Sequence, residues 1–219
     1  MAEHAIRRLK LIGALLAVVL AGYAVGSLLD RARLPGVDLD ASSVVEQLHA
    51  DHTAPATGSP QAAVQVVVFT DYRCGVCRID HAGVKQVAIA RPDVRFVFKE
   101  WAALGPTSRL AAETALASAY QGRYQAARDA LMRAPLFDGA SVQRALATAG
   151  LDLIWLEADL RRHRREIDRE LALASRQAFS LGLPGTPAYL VGRRLVVGRL
   201  ERGKLERLIA RAERELLKE

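Results

Sequence analysis

In Asp71-Tyr72-Arg73-Cys74-Gly75-Val76-Cys77, the chain places both of its cysteines three residues apart. The run before it, residues 64–70, is apolar and rich in valine, which predicts a buried β-strand. The segment from Cys74 to Ala90 has the pattern of a helix. Cys74 therefore lies at a helix N-terminus, where free backbone N–H groups and the helix dipole favour negative charge. This position predicts a thiolate at Cys74, the nucleophile of disulfide exchange.

Three other uses of such a cysteine pair fit the surrounding residues less well. A structural zinc site needs two more ligands, and only His81 follows at a spacing that shares the helix face. Covalent haem attachment requires histidine directly after the second cysteine, where Arg78 stands instead. A purely structural disulfide would close a tiny loop and restrain little of the unfolded chain. We favour redox chemistry by the dithiol itself, with no metal and no other cofactor.

The elements that flank the cysteines indicate one α/β unit. A second strand is predicted over Val94–Lys99, so strand, helix and strand follow one another at close spacing. Such a βαβ unit has two parallel strands joined by a right-handed crossover. The chain from Thr107 to Leu181 then has a helical pattern throughout.

The end of the chain predicts a hairpin followed by a helix. Gly182-Leu183-Pro184-Gly185 ends the helical stretch. Two short β-rich runs, Ala188–Val191 and Leu195–Val197, flank a glycine-containing turn and predict an antiparallel hairpin. Residues 202–217 form an amphipathic helical pattern.

The Thr186-Pro187 step has two interpretations. A proline at the head of a strand is tolerated, and the step is then simply the turn that stops the preceding helix. The alternative is a cis X–Pro bond that turns the Thr186 backbone toward the active-site sulfur. The exposed backbone groups would then pair with an extended client peptide by strand addition.

The N-terminus predicts export. Three basic residues, Arg7, Arg8 and Lys10, precede an uncharged apolar run over residues 11–29. As a helix that run spans about 28 Å, close to the ~30 Å hydrocarbon core. It is longer than the apolar region of a cleaved signal peptide, so residues 1–29 are predicted to be an uncleaved signal anchor rather than a signal peptide. The basic start predicts that the remainder lies on the periplasmic side, an oxidising space, anchored to the inner membrane through residues 11–29.

Residues 30–61 are predicted to be a tether with a short helix from Asp40 to Leu48. Two prolines and a glycine between His52 and Pro60 break regular structure there. The roughly 160 residues that follow are enough for one domain with its own core.

The formal net charge of +7 raises the question of a nucleic-acid partner. The densest basic cluster, residues 161–165, lies in a helical pattern with acidic residues spaced for i,i+4 pairing. Aromatic residues are sparse, which weakens a base-stacking surface. We expect a solvated helix face and no nucleic-acid partner.

The order of these elements resembles the thioredoxin fold with an inserted α-helical domain, as in the DsbA-like exported thiol–disulfide oxidoreductases. The similarity extends to Phe69-Thr70-Asp71-Tyr72 before the cysteines and to Phe98-Lys99-Glu100-Trp101 at the second strand. Leu104-Gly105-Pro106, which leads into alanine-rich helices, is also similar. The resemblance covers residues 62–219 and implies a DsbA-like thioredoxin domain with a helical insertion at about 105–181.

The resemblance assigns roles to individual residues. Cys74 would be the exposed attacking sulfur, Cys77 the resolving one, and Thr186-Pro187 the cis-proline element beside them. Family members often carry a buried acid six residues before the first cysteine, and this chain has Val68 there. Lys99, Glu100 or a water molecule is expected to replace it as the proton shuttle at Cys77.

The predicted activity is ping-pong disulfide exchange with client proteins that contain cysteines, supported by a membrane or soluble redox partner. Arg73 and the helix N-terminus are expected to favour the Cys74 thiolate. No cation lies between the two sulfurs, which favours a moderate oxidant or an isomerase over an extreme oxidant. The predicted client groove consists of apolar residues around the sulfur together with Thr186, namely Tyr72, Val76, Trp101 and Leu104. For Trp101, plain core packing is the alternative.

Two other functions fit the same residues. The chain would then be a membrane-tethered chaperone or assembly factor whose cysteines hold clients or a soft metal such as Cu(I), without enzymatic activity. The other alternative is a dedicated reductase in cytochrome maturation. The sequence sets no oligomeric state.

Overall fold

The computed structural model describes residues 15–16, 18–23, 34–40 and 43–218. The chain divides into two compact units, Met1–Pro35 and Gly36–Glu219. In the first unit, residues 15–16 and 18–23 are helical, and the rest of the predicted anchor over residues 11–29 lies outside the described residues. Within the described part of the chain, no helix has both the length and the apolar character needed to span a membrane.

The second unit is built on a six-stranded mixed sheet with strand order β1-β6-β5-β3-β4-β2. The strands are β1 (Val37–Asp38), β2 (Ala56–Thr57), β3 (Gln65–Thr70), β4 (Arg95–Glu100), β5 (Ala188–Val191) and β6 (Arg194–Val197). The helices are α1 (Ser43–His49), α2 (Gly75–Ala90), α3 (Pro106–Ser118), α4 (Tyr124–Arg133), α5 (Gly139–Thr148), α6 (Leu153–Arg162), α7 (Arg164–Ser180) and α8 (Arg202–Leu216).

The predicted βαβ unit and hairpin are both present. β3 and β4, which precede and follow α2 in sequence, pair in parallel. β5 pairs antiparallel with both β3 and β6. Side chains alternate between the faces of a sheet, and residues opposite each other in register share a face. Val68 is opposite Phe98 in β4 and Tyr189 in β5, so these three share one face. Phe69 and Lys99 therefore lie on the other face.

The two faces of the sheet are covered by different helices. On the Phe69 face, Val67, Val97 and Leu190 form a buried cluster with Val45 and Leu48 of α1 and with Ala178 of α7. On the Val68 face, α2 buries Cys77, Asp80, His81, Val84 and Val87, and the Tyr189 hydroxyl reaches Asp80. The active-site helix thus packs on the face that carries Val68.

Residues 36–40 and 43–61, expected to belong to a tether, are part of the folded unit. β1 pairs with β6, and β2 pairs with β4, so this segment supplies both edges of the sheet. α1 adds Val45 and Leu48 to the core. Strands of two residues are too short to give an alternating pattern, which is why the sequence did not reveal them. Gly58 follows β2 with φ +85°, and a Cβ there would overlap the Val94 carbonyl oxygen.

The helical insertion consists of α3 to α7 rather than one continuous stretch. α3 lies at its centre, and all of residues 111–118 are buried, among them the small side chains of Ala111, Ala112 and Ala115. The basic cluster at residues 161–165 lies at the junction of α6 and α7. There Arg161 pairs with Glu157, and Arg164 with Asp168, both at i,i+4 spacing. The predicted solvated helix face is confirmed.

Candidate active site

Cys74 is the N-cap residue of α2. Its backbone is extended (φ −69°, ψ 116°), and its Sγ accepts a hydrogen bond from the Cys77 backbone N–H at 3.3 Å. Both cysteines are free, so the structure shows the dithiol form. The sulfur therefore occupies the helix N-terminus, where an N–H donor and the helix dipole favour a negative charge.

Thr186 contacts both sulfurs. The Thr186–Pro187 peptide bond is cis, as one of the two interpretations required. The Thr186 carbonyl oxygen accepts a hydrogen bond from the Cys74 thiol at 3.2 Å, and the Thr186 side chain is hydrogen-bonded to Cys77. The fold thus brings Thr186 to the two cysteines, which lie more than 100 positions earlier in the sequence.

The two sulfurs differ in their electrostatic surroundings. Burial raises the pKa of the Cys77 thiol to about 12, and hydrogen bonds from the Thr186 side chain and the Asp71 backbone oppose this only in part. Cys77 is therefore a thiol at neutral pH, and it has to lose its proton before it can attack as the resolving cysteine. The expectation of an exposed attacking sulfur is wrong for this state, because Cys74 is 8% exposed and Cys77 4%. The Thr186 segment covers Cys74.

Asp71 holds the loop that leads into α2. Its Oδ1 accepts from the Arg73 backbone N–H at 2.7 Å and from the Ser108 hydroxyl at 2.8 Å. Its Oδ2 accepts from the Leu104 N–H at 3.0 Å, and its carbonyl oxygen accepts from the Cys74 N–H. A single carboxylate therefore ties the cysteine loop to the start of the insertion. Sequence analysis names Asp71 only as part of the stretch that resembles the DsbA-like family, and it misses this structural role. The available signal is an aspartate directly after a buried strand, because such a side chain commonly accepts hydrogen bonds from the backbone of the loop that follows.

The predicted client groove is present only in part. Val76 and Leu104 are 37% and 47% exposed, so they offer apolar surface near Cys74. Tyr72 and Trp101 are buried, and their assignment to the groove is wrong. The Tyr72 hydroxyl donates a hydrogen bond to the buried Glu100 carboxylate. Trp101 belongs to the core cluster and makes an edge-to-face contact with Phe179, so the alternative of core packing is confirmed.

Arg73, predicted to favour the thiolate, directs its guanidinium elsewhere. Its Nη1 donates to the Leu104 carbonyl oxygen at 3.1 Å, at the surface of the protein. Arg73 therefore adds a second link between the cysteine loop and Leu104. Its effect on the Cys74 thiolate stays a prediction.

Lys99 lies on the sheet face opposite α2, and its side chain is fully buried. Its Nζ donates to Asp51 Oδ2 and to Glu170 Oε1, both at 2.6 Å. The Thr53 hydroxyl bridges the same two carboxylates. Of the two residues predicted to shuttle protons, Lys99 thus connects the segment after α1 with α7 and does not face Cys77.

Glu100 lies on the same face of the sheet as α2. Its Oε1 accepts from the Tyr72 hydroxyl at 2.7 Å and from the Tyr124 hydroxyl at 2.5 Å. Burial raises the pKa of Glu100 to about 7, although both phenols and Arg128 oppose the shift. Its role as a proton shuttle stays a prediction.

The histidine considered as a third zinc ligand is engaged in other contacts. His81 Nε2 lies 2.8 Å from Asp129 Oδ1, and Nδ1 lies 2.9 Å from Arg128 Nη1. Burial, reinforced by Arg128, lowers the pKa of His81 to about 4. Among the described residues, no group of three or more His, Cys, Asp or Glu side chains is arranged to hold a metal ion.

Several known proteins are similar to this chain in sequence or in fold. The sequence model of the family described as Thioredoxin matches residues 50–211. A thioredoxin-like oxidoreductase from Silicibacter pomeroyi DSS-3 is 36% identical, with 77% of this chain and 97% of that chain covered and a TM-score of 0.72. A comparison with curated protein sequences gave no match.

Two further solved structures share the fold at lower identity. The thiol-disulfide exchange protein alpha-DsbA2 from Wolbachia pipientis is 24% identical over 77% of this chain and 92% of that chain, with a TM-score of 0.73. A periplasmic thioredoxin-like protein from Salmonella enterica serovar Typhimurium is 23% identical over 80% and 98%, with a TM-score of 0.65. The predicted thioredoxin-like α/β fold is confirmed. The chain therefore belongs to the thioredoxin family and is a thiol–disulfide oxidoreductase, which confirms the DsbA-like resemblance of its sequence.

Proposed function

We propose that the chain is an exported oxidoreductase that exchanges disulfides with cysteine-containing client proteins through Cys74 and Cys77. One observation carries this proposal: the Cys74 Sγ sits at the N-terminus of α2, 3.2 Å from the Thr186 carbonyl oxygen. Thr186 stands at the head of β5, where an extended client strand can pair with its backbone. Val76 and Leu104 offer exposed apolar surface for contacts with a client.

In the oxidising direction, a client thiolate attacks the Cys74 sulfur of the Cys74–Cys77 disulfide. The bond between the two enzyme sulfurs breaks, a client–Cys74 disulfide forms, and Cys77 leaves as a thiolate that takes up a proton. A second client thiolate then attacks the client sulfur and releases Cys74. The client loses two electrons and gains a disulfide, and the enzyme becomes a dithiol.

In the reverse direction, the Cys74 thiolate attacks a client disulfide and Cys77 resolves the mixed disulfide. Because Gly75 and Val76 place no cation between the sulfurs, we favour a moderate oxidant or an isomerase. Equilibration with glutathione buffers measures this preference. A potential near that of thioredoxin, about −270 mV, would exclude the oxidase role.

Export to the periplasmic side is supported by the basic start of the chain and the apolar run over residues 11–29. The similarity to a periplasmic thioredoxin-like protein agrees with this location. Fusion of a reporter that is active only outside the cytoplasm, placed after residue 35, tests it. Extraction of the membranes at alkaline pH then distinguishes an uncleaved anchor from a cleaved signal peptide.

The decisive experiment compares two substitutions of the same chemical kind. Cys74→Ser is expected to abolish both insulin reduction and the reactivation of a scrambled disulfide protein. Cys77→Ser is expected to retain attack by Cys74 and to accumulate mixed disulfides, whose partners identify the clients. Exchange activity that survives in Cys74→Ser would refute the mechanism.

A further inference from the structure

A buried carboxylate lies one helical turn beyond the resolving cysteine. Asp80 follows Cys77 by three positions in α2, a spacing that makes two side chains neighbours on a helix surface. Asp80 is 5% exposed. It therefore shares the buried side of α2 with the Cys77 thiol.

Asp80 is held by donors from other parts of the chain. Its Oδ2 accepts from the Tyr189 hydroxyl at 2.9 Å and from the Leu200 backbone N–H at 2.7 Å. Its Oδ1 lies 3.8 Å from the Arg199 guanidinium, which is exposed to solvent. The three groups around the Asp80 carboxylate all carry hydrogen-bond donors. Asp80 is thus a buried acceptor that is linked to the surface through Arg199.

Tyr189 connects Asp80 with the position of the missing acid. In register, Tyr189 is opposite Val68, where the DsbA-like resemblance expects a buried acid. The Tyr189 phenol interacts with both Asp80 and Cys77. Burial raises the pKa of Tyr189, and Asp80 and then Cys77 raise it further. The phenol of β5 that lies opposite Val68 is therefore hydrogen-bonded to a carboxylate on α2.

We propose that Asp80, with Tyr189 as its hydrogen-bond partner, is the buried base that serves Cys77 when the mixed disulfide is resolved. The inference rests on the proposed function and adds a residue to it. In this step the Cys77 S–H bond breaks and its proton passes to the Asp80–Tyr189 pair. The Cys77 sulfur then attacks Cys74, the Cys74–client disulfide breaks, and the client sulfur leaves as a thiolate that takes up a proton. The client disulfide is reduced, and the enzyme dithiol is oxidised.

The other buried acid on this face is less well placed. Glu100 directs its accepting oxygen to Tyr72 and Tyr124, and its surroundings include Arg128 and Asp71 rather than either cysteine. Several titratable and charged groups surround the proposed site: Cys74 and His81 at the start and on the same side of α2, Asp71 from its preceding loop, Arg128 from α4, Tyr189 from β5, Arg199 from the loop after β6 and Arg202 from α8.

The test separates the two chemical steps in the full chain. The reduced protein is mixed with oxidised glutathione, stopped with acid at increasing times and analysed by mass spectrometry for the glutathione–Cys74 adduct. We expect Asp80→Asn to form the adduct at the wild-type rate but to lose it at least about a hundredfold more slowly at pH 7, the lower end of the range for general base catalysis. Its decay is also expected to accelerate about tenfold per pH unit, because solvent alone then removes the Cys77 proton.

Three variants make the outcome decisive. Tyr189→Phe keeps the ring and removes the hydroxyl, so it is expected to slow the same step. Asp129→Asn alters another carboxylate that contacts α2, through His81 and Lys85, and is expected to leave the decay unchanged. Wild-type decay in both Asp80→Asn and Tyr189→Phe, or equal slowing in Glu100→Gln, would overturn the proposal. Failure of the wild-type protein to form either the adduct or the Cys74–Cys77 disulfide would instead refute the proposed function.

Discussion

Lys99 and Glu100 are adjacent in β4, yet their side chains enter opposite faces of the sheet. Lys99 joins two carboxylates, Asp51 and Glu170, on the face of α7. Glu100 accepts from two phenols, Tyr72 and Tyr124, on the face of α2. The two adjacent residues therefore belong to two separate buried hydrogen-bond networks. Substitutions at the two positions are expected to change the stability of the fold in different ways.

Replacement of Lys99 by methionine is expected to destabilise the fold strongly. The Asp51 and Glu170 carboxylates would remain buried without their cation, a change that costs about 3–5 kcal/mol. Burial acts to raise the pKa of Asp51, but the Lys99 ammonium and Thr53 outweigh it and hold that pKa at about 2. Without Lys99 the carboxylates can take up protons, so the loss of stability is expected to be smaller at pH 5 than at pH 8.

Urea denaturation of Lys99→Met and the wild-type protein at both pH values measures this effect. Lys85→Met is the matched control, because Lys85 pairs with Asp129 near the surface and such pairs contribute about 0–1 kcal/mol. Equal losses of stability in the two variants would show that the buried pairs of Lys99 with Asp51 and Glu170 contribute no more than a pair near the surface.

Glu100→Gln is expected to remove a pH dependence of stability. The pKa of Glu100 is raised in the folded state to about 7, against 4.5 for an ordinary glutamate. The protonated form is therefore favoured by folding, and this stabilisation is complete below pH 4.5 and lost as the pH rises through 7. A shift of this size corresponds to roughly 3 kcal/mol.

The glutamine amide in Glu100→Gln retains an oxygen that accepts from Tyr72 and Tyr124. The amide nitrogen replaces Oε2, which has no hydrogen-bond partner in the structure. We expect the free energy of unfolding of Glu100→Gln to exceed that of the wild-type protein at pH 8 and to approach it at pH 5. The comparison requires urea titrations of both proteins at the two pH values. A constant difference between them would contradict a titrating Glu100.

The contrast between these two residues also shows what the sequence could predict. Strand β3, helix α2 and the hairpin have strong patterns of their own, so their positions were predicted nearly to the residue. The face that each residue of β4 occupies depends on the register with β3, which the predicted boundaries do not give. The sequence alone therefore leaves Lys99 and Glu100 as alternatives for one role.

Tyr72 and Trp101 were misplaced for a related reason. Aromatic residues near a reactive sulfur are equally suited to a groove and to a core, and only their partners distinguish the two. Here Tyr72 meets a buried glutamate that lies 28 positions further along the chain, and Trp101 packs with residues of α1 and α7. Such contacts arise from the tertiary fold and have no local signal.

The two cysteines are expected to differ sharply in alkylation. A thiol with a pKa of about 12, as for Cys77, is about one-thousandth thiolate at pH 9. Brief treatment of the reduced protein with iodoacetamide should therefore label Cys74 and leave Cys77 almost unmodified. Trypsin cleavage after Arg73 and Arg78 releases both cysteines in one five-residue peptide, and fragmentation of that peptide locates the label.

The same treatment in urea provides the control, because unfolding removes the burial that raises the pKa of Cys77. Both positions should then be labelled at similar rates. Rapid labelling of Cys77 in the folded protein would be incompatible with its role as the protected, resolving thiol.

Asp71→Asn is expected to reduce exchange activity more than stability. An amide at this position offers one accepting oxygen, whereas Arg73, Ser108 and Leu104 donate to two in the native protein. The link between the cysteine loop and the start of α3 is then incomplete, which shifts Cys74 relative to Leu104. We expect kcat/KM for insulin reduction to fall about tenfold, since small displacements of reacting groups have large effects on rate. Thermal denaturation of the same variant checks that the fold is retained.

Leu104→Ser tests whether the exposed apolar surface beside Cys74 binds clients. Leu104 is 47% exposed, and its backbone is held by Asp71 and Arg73, so the substitution changes surface chemistry without disturbing the loop. Loss of a partly buried leucine contact is expected to raise KM for an apolar peptide substrate several-fold, because full burial of such a side chain contributes about 1.5–3 kcal/mol. Exchange with glutathione, which is too small to use this surface, should be unchanged. Ile89→Ser is the control, since Ile89 is exposed at the far end of α2. If both variants alter KM equally, or if glutathione exchange falls together with peptide exchange, Leu104 does not belong to a client-binding surface.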